Sequence, residues 1–367
     1  VETFIPKRDN MRLGYVKGQP FLKRKTVTFN HNSRKHIAHC LKTKYGWEPT
    51  ELTPGGDAKI DESVLSTLEY PEAQKLAEMF LIQKRIAMLA EGSQAWLKKV
   101  DDDGRIRHSI ISGGTVSGRA AHRNPNLGQV PGAQSKWGKE CRELFTVPEG
   151  WVLLGADLSG LELRALAHYL APLDDGEYAE TILNGDIHTL NQKAAKLPTR
   201  ASAKTFIYAT LYGGGDRLIG EIVGGKAKDG KRLKANFDKA VPAFKRLKDK
   251  LKVAMERGYL IGLDGRKLYC RSTHKGLSQL LQSAGAILCK QWLQNIDQRL
   301  EIEKLRDDAI IVGWIHDEVQ IACRTRGVAD YVGDISRRMA SEAGRSFSLK
   351  IPIAAEFKIG KTWAETH

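Results

Sequence analysis

"VGWIHDEVQIACR", residues 312–324, reads as two runs of strand-like apolar residues on either side of three consecutive polar groups, His316, Asp317 and Glu318. A sheet core places Val or Ile at such positions, and a buried carboxylate is costly unless a partner compensates it. The stretch therefore predicts a hairpin that turns at its acids. The fold depends on which strand lies beside it.

The best candidate neighbour is "WVLLGAD", residues 151–157, a short apolar run suited to a buried strand and ending in Asp157. "SGLELRALAHYL" comes next, with helical spacing and Ser159 as the expected cap. If the two strands pair, Asp157 and Asp317 converge at one edge of the sheet. Hard oxygen ligands of this kind suit Mg²⁺, which is often held by one or two carboxylates plus substrate phosphates. Two such ions, about 3.5–4 Å apart, can activate an attacking hydroxyl and stabilise a departing pyrophosphate. The ordinary alternative is an acid pair capping a turn.

Composition limits the partners. The chain has 367 residues and a formal net charge of +15, with a pI near 9.5. A surface this basic attracts phosphate backbones in a salt-dependent way. The five cysteines, Cys40, Cys141, Cys270, Cys289 and Cys323, are scattered, with no C-x-x-C pair. They suggest neither a zinc site nor a disulfide framework, and point to a reducing compartment. No long apolar run or signal-peptide pattern is present. The expectation is a soluble protein of the cytoplasm, of a host cell if the source is viral, with no membrane partner.

Along the chain, residues 32–46 predict a helix capped by Asn32 or Ser33 and stopped by Gly46. "TPGGDA" is a loop, and an amphipathic helix is expected from about Pro71 to Val100, carrying Lys84 and Arg85. Residues 178–257 are mainly helical and densely basic. "GLDGRKLYCR" predicts strands around an Asp264-Gly265 turn. Helices at about 276–302 and 328–345 and a C-terminal strand complete an α+β fold, rich in helix, with an antiparallel sheet built from distant segments.

"RASAKTFIYATLYGGG", residues 200–215, adds a second chemical surface. Arg200, Lys204, Tyr208 and Tyr212 recur every four residues and line one helix face. Two cations followed by two aromatics can grip a triphosphate at one end and stack on a base at the other. The alternative is an amphipathic helix with buried tyrosines and solvated cations.

"DLSGLELR" from Asp157, "RASAKTFIYATLYG" from Arg200 and "HDEVQ" from His316 resemble, in order and separation, the three polymerase motifs of family A DNA polymerases, the DNA polymerase I type. "SGRAAHRNPNLGQVPG" (117–132), "NGDIHT" (184–189) and "LLQSAGA" (280–286) extend the resemblance, which is closest to the replicative polymerases of short-tailed bacteriophages and covers roughly residues 27–367. It implies a right-hand polymerase with an antiparallel-sheet palm, helical fingers and a partial helical thumb. Its activity would be template-directed addition of deoxynucleotides to a primer 3′-hydroxyl.

By the same resemblance, Asp157 and Asp317 bind two Mg²⁺ ions, for which Mn²⁺ can substitute, and the Leu158 backbone carbonyl completes the coordination. Arg200, Lys204 and His188 hold the triphosphate, and Lys204 assists the leaving pyrophosphate as an acid. Tyr208 packs on the incoming sugar with Glu162, which leaves no room for a 2′-hydroxyl. Tyr212 guards the templating-base position. Arg119 and Gln282 read minor-groove acceptors shared by every correct pair. His316 and Glu318 support the primer terminus, and Lys84 and Arg85 contact DNA.

Other readings compete. "GEIVGGKA" (220–227) has the spacing of a phosphate-binding loop, but Ala227 stands where Ser or Thr is needed and no strand precedes it. A single-subunit RNA polymerase is disfavoured by Glu162. A non-catalytic DNA-binding relative would be expected to have lost Asp157 or Asp317.

The resemblance divides the chain into a lead segment and partial thumb (1–100), a first part of the palm (101–169), fingers (170–277) and a second part of the palm (278–367). The chain begins with Val1, and only about 28 residues precede the segment matching "FNHNSRKHI". A full thumb and a 3′–5′ exonuclease are therefore expected to be absent from it. A separate exonuclease or processivity subunit is an expected partner, beside primer-template DNA and deoxynucleoside triphosphates.

Overall fold

The computed structural model describes residues 2–23, 26–270 and 272–367, arranged as two compact units that meet in sequence at Gly104/Arg105. The first contains strands β1 (Glu2–Phe4) and β2 (Phe21–Lys23) and helices α1 (Arg34–Tyr45), α2 (Glu62–Ser66) and α3 (Pro71–Ile86). Ser33 accepts from the His36 amide at the start of α1, and Gly46 closes it with φ +64°. Both ends are as the sequence predicts, for the usual reasons: a hydroxyl satisfies a free N–H, and glycine tolerates the left-handed cap. The helix expected to run from Pro71 to Val100 does not. It loosens into a π-type turn at Ala87–Glu91 and stops at Gly92, where a Cβ would stand 2.5 Å from the Ala87 carbonyl oxygen. Beyond that stop Trp96 is buried in a short 3₁₀ turn.

The second unit starts with β3 (Ser109–Ile111), β4 (Ala121–Arg123), α4 (Gly138–Glu143) and β5 (Val152–Leu158). A helical array comes after it: α5 (Leu161–Asp174), α6 (Glu177–Asn184), α7 (Ile187–Ala195), α8 (Arg200–Leu211), α9 (Asp216–Glu221), α10 (Ala227–Ala240) and α11 (Pro242–Met255). The hairpin β6 (Tyr259–Ile261) and β7 (Lys267–Tyr269) then leads into the long α12 (Gly276–Ile302). The unit ends with β8 (Ala309–Ile315), β9 (Glu318–Cys323), α13 (Arg326–Ser346) and β10 (Ala355–Gly360).

β10, β5, β9 and β8 form, in that order, an antiparallel sheet. Its inner face places Leu154, Ala156, Val319 and Ile321 against Leu288, Trp292 and Ile296 of α12 and Ile335 and Met339 of α13. These alternate residues lie under the two helices, as the period of two requires, while β9 is buried at all six positions because its other face is covered as well. Phe206, Ile207 and Leu211 of α8 pack with Phe237 and Phe244 of α10 and α11 in a separate helical core.

Ser159 is not the cap of α5. Its amide donates to Ala354 O at 2.9 Å, and Gly160, at φ +60°, takes the N-cap position. The chain must turn sharply from β5 into α5, and a left-handed glycine permits that turn.

Candidate active site

In the sheet register Asp157 lies opposite Glu318, and the Leu158 amide donates to Asp317 O at 3.1 Å. The end of β5 and the β8–β9 turn are therefore direct neighbours, as the sequence predicts if the strands pair. The turn has two residues, His316 and Asp317, and His316 has φ +58°. A non-glycine residue in that region costs about 1–2 kcal/mol. Local bonds offset this: the Cys289 thiol donates to His316 O at 3.0 Å, Trp314 Nε1 reaches the same oxygen at 3.1 Å, and His316 Nε2 lies 3.3 Å from Gly128 O.

The acids are under electrostatic strain. Burial by surrounding protein raises the Asp157 carboxyl, and the charges of Asp317 and Glu318 add to it, bringing it to about 7. Asp157 keeps one face open to solvent, so the desolvation comes from the walls around that opening. Asp317 is raised by burial and then by Glu162. Among the described residues no Lys, Arg or His forms an ion pair with Asp157 or Asp317, and no third His, Cys, Asp or Glu completes a metal cluster with them. Arg119 and His316 offset part of the rise at Asp317, and His367 part of that at Asp157, but none pairs with them. Two hard-oxygen groups without an ion-pair partner fit a divalent cation that takes its remaining ligands from water, backbone and phosphate.

Glu318 has a different partner. Only 4% exposed, it accepts from Trp363 Nε1 at 2.7 Å, from Gln320 Nε2, and lies 2.8 Å from His367 Nδ1. Burial, the largest single influence, would raise its carboxyl, but the His367, Trp363 and Gln320 contacts together hold it low. These bonds tie the hairpin to the segment "TWAETH", and Thr366 adds a bond to Gln320 Oε1 at 2.9 Å. That segment passes so close to β5 that a Cβ on Gly155 would stand 2.3 Å from Thr366 O. The partners of this third polar group are thus part of the fold itself.

Glu162, in the first turn of α5, accepts from both Arg119 Nη2 and Tyr212 Oη, each at 2.8 Å and on the same carboxylate oxygen. Burial, then the Glu162 charge, raises the Tyr212 phenol to about 12. Tyr208 is half-buried, and its phenol is raised by burial, then by the charges of Glu162, Asp317 and Asp157. Arg119, Trp314, His316 and Asp317 line one small pocket. Gln282 is on α12 and bonds Ser278 Oγ at 3.1 Å.

The N-terminal end of α8 carries the cations. Lys204 is exposed, while Arg200 is held by Asp186 through Nε at 2.7 Å and Nη2 at 3.2 Å. Asp186 also caps α7 by accepting from the His188 amide at 3.0 Å. His188 is lowered by burial and then by Arg200. Lys84 and Arg85 belong to the last turn of α3, in the first unit.

Sequence reading missed several supports. Asp186 lies inside "NGDIHT", where its N-cap position was the available signal. Cys289 gave none, because its contacts to His316 O and Trp314 cross 25 residues or more. His122 was also missed: its Nδ1 lies 3.2 Å from His108 Nε2, and burial lowers it to about 4.

The sequence pattern of DNA polymerase family A matches residues 19–365. The chain is 42% identical to the DNA-directed DNA polymerase of Enterobacteria phage T3, over 96% of this chain and 55% of that protein. It is 41% identical to the corresponding enzyme of Escherichia phage T7 over the same shares. It therefore spans little more than half the length of these relatives. The structure resembles the POL domain of Pol1 from M. smegmatis, solved in complex with DNA primer-template and dNTP, with a TM-score of 0.79, 21% identity, and coverage of 92% of this chain and 62% of that one. The chain belongs to DNA polymerase family A.

Proposed function

We propose that this chain catalyses template-directed addition of deoxynucleotides to a primer 3′-hydroxyl, with release of pyrophosphate. The observation that supports this most is the cross-strand pairing that sets Asp157 beside the Asp317 turn, with no ion-pair partner for either among the described residues. Magnesium, held by these two carboxylates with the Leu158 carbonyl, would lower the pKa of the attacking hydroxyl and neutralise charge on the leaving group. Arg200, Lys204 and His188 bind the triphosphate, with Asp186 holding Arg200 in place until phosphate replaces it. Lys204 donates a proton to the pyrophosphate. Glu162 and Tyr208 form the floor under the sugar, and Tyr212 covers the templating position. Arg119 and Gln282 take minor-groove acceptors at the primer end, His316 steadies the terminus, Glu318 secures the hairpin, and Lys84 and Arg85 contact duplex phosphates.

In this reading the four-stranded sheet is the palm, drawn from 101–169 and 278–367. Residues 170–277 are the fingers, and 1–100 is a lead segment with part of a thumb. No helix among the described residues is long and apolar enough to cross a membrane, and the workplace we assign is the cytoplasm of the cell that holds the template. The test is extension of a labelled primer on a defined template with Mg²⁺, with Mn²⁺ and with chelator. Template-matched products that require either metal support the reading, and metal-independent extension or none at all overturns it.

A further inference from the structure

The β6–β7 hairpin is amphipathic in an unusual sense. Its inward residues, Leu260 and Leu268, are buried with Met255 and Leu280. The outward face should then be polar, since antiparallel hairpins with one wet side alternate apolar and polar residues. Instead it presents Tyr259 and Tyr269, which are cross-strand partners, with ring centroids 6.1 Å apart. Ile261 is exposed beside them, and Tyr269 is 69% exposed. Arg257 and Lys267 each lie 4.8 Å from the Tyr259 ring centre.

The segment that leads into the hairpin is strongly basic on balance. Between Lys226 and Arg257 the chain has twelve Lys or Arg against four Asp or Glu, more than half of the net positive charge in less than a tenth of the length. Amphipathic helices α10 and α11 turn most of these cations outward. At its turn the hairpin is anchored by Arg266, whose Nη2 bonds Ser283 Oγ at 3.1 Å and approaches Ser117 O at 3.5 Å, two residues before Arg119.

We propose that the Tyr259–Tyr269 face is a stacking platform for single-stranded DNA, namely the unpaired template ahead of the primer end. The proposal rests on the polymerase reading for which strand is bound. An exposed ring, Tyr269, beside a half-buried one, Tyr259, that guanidinium and ammonium groups flank, near many outward cations, supplies the elements that hold unpaired bases without sequence preference. In a duplex the base faces are already stacked, so rings of this kind gain little from it.

The test compares wild type with the double variants Tyr259→Ala/Tyr269→Ala and Tyr259→Phe/Tyr269→Phe. Binding is read by anisotropy on a labelled dT oligonucleotide of about twenty bases, and on primer-templates with a one-base or a fifteen-base 5′ overhang. Two lost stacking contacts should weaken the oligonucleotide and the long overhang by about thirtyfold or more. The short overhang should stay within about twofold, as should every substrate with the Phe variant. Unchanged oligonucleotide affinity in the Ala variant, or an equal loss on both overhangs, overturns the proposal, the first outcome leaving the patch to an acidic protein. Should the Ala variant misfold, Lys267→Glu provides the same comparison and should also weaken only oligonucleotide and long-overhang binding. The oligonucleotide measurement needs no catalysis, so absence of primer extension would count against the polymerase reading and not against the platform.

Discussion

Tyr212 Oη donates to Glu162 Oε1 at 2.8 Å, and Arg119 occupies the same oxygen. The C-terminal end of α8 is thereby latched to the first turn of α5. The carboxylate proposed to exclude a 2′-hydroxyl is also the one that bonds the tyrosine assigned to the templating position and the arginine assigned to the primer end.

Removing that carboxylate should relax sugar selection. Glu162→Ala is expected to raise ribonucleotide incorporation relative to deoxynucleotides by tenfold or more, with a smaller fall in the deoxynucleotide rate. Competition assays with matched ribo- and deoxynucleotides measure it. Unchanged discrimination would place the sugar barrier elsewhere.

The Tyr208 phenol feels the charges of Glu162, Asp317 and Asp157, and we assign it to the sugar of the incoming nucleotide. The resemblance implies that this hydroxyl permits dideoxynucleotides, so Tyr208→Phe should suppress chain termination by them at least tenfold. Equal termination patterns on a sequencing-type ladder would remove that role.

The raised Asp157 carboxyl, at about 7, gives two linked pH effects. Metal needs the ionised form, so extension at limiting Mg²⁺ should increase up to about pH 7 and level off above it. Stability should move the other way. Folding holds a proton on Asp157 that the unfolded chain releases near 4, so this contribution is complete below pH 4 and is lost as pH rises through 7. In chelator at pH 8, Asp157→Asn should therefore melt about 1–3 °C higher than wild type, with no difference near pH 4. Mg²⁺ should raise the wild-type midpoint more than that of the variant.

Glu318 behaves oppositely. Its carboxyl is held low by His367, Trp363 and Gln320, so its contribution exists above the ordinary carboxylate range and disappears as pH falls through the lowered value. Glu318→Ala leaves the indole N–H of Trp363 buried without an acceptor and should cost about 1–3 kcal/mol in urea unfolding at pH 7. Loss of less than a few tenths would mean the C-terminal segment is not seated by this bond.

The sheet was legible because its strands have short apolar runs and its acids interrupt them at a turn. The positions of Asp157 and Asp317 came from pairing alone. The features that could not be read depend on contacts remote in sequence: the Glu318–Trp363 bond spans 45 residues, and the thiol of Cys289 reaches His316 O from the middle of α12. The stop at Gly92 was missed because the apolar period runs on through it, and backbone crowding is invisible to periodicity. Ser159 was misplaced as a cap because its amide is taken by Ala354, a partner 195 residues away.

The central claim is that Asp157 and Asp317 act together on metal at the reacting atoms. It is tested most directly by single-turnover primer extension with Asp157→Ala and Asp317→Ala at saturating primer-template and nucleotide, beside a binding measurement on the same DNA. Each variant should lose a thousandfold or more in rate, a barrier increase of about 4 kcal/mol, while primer-template affinity stays within about threefold because phosphate electrostatics dominate it. A rate within tenfold of wild type for either variant would contradict the account.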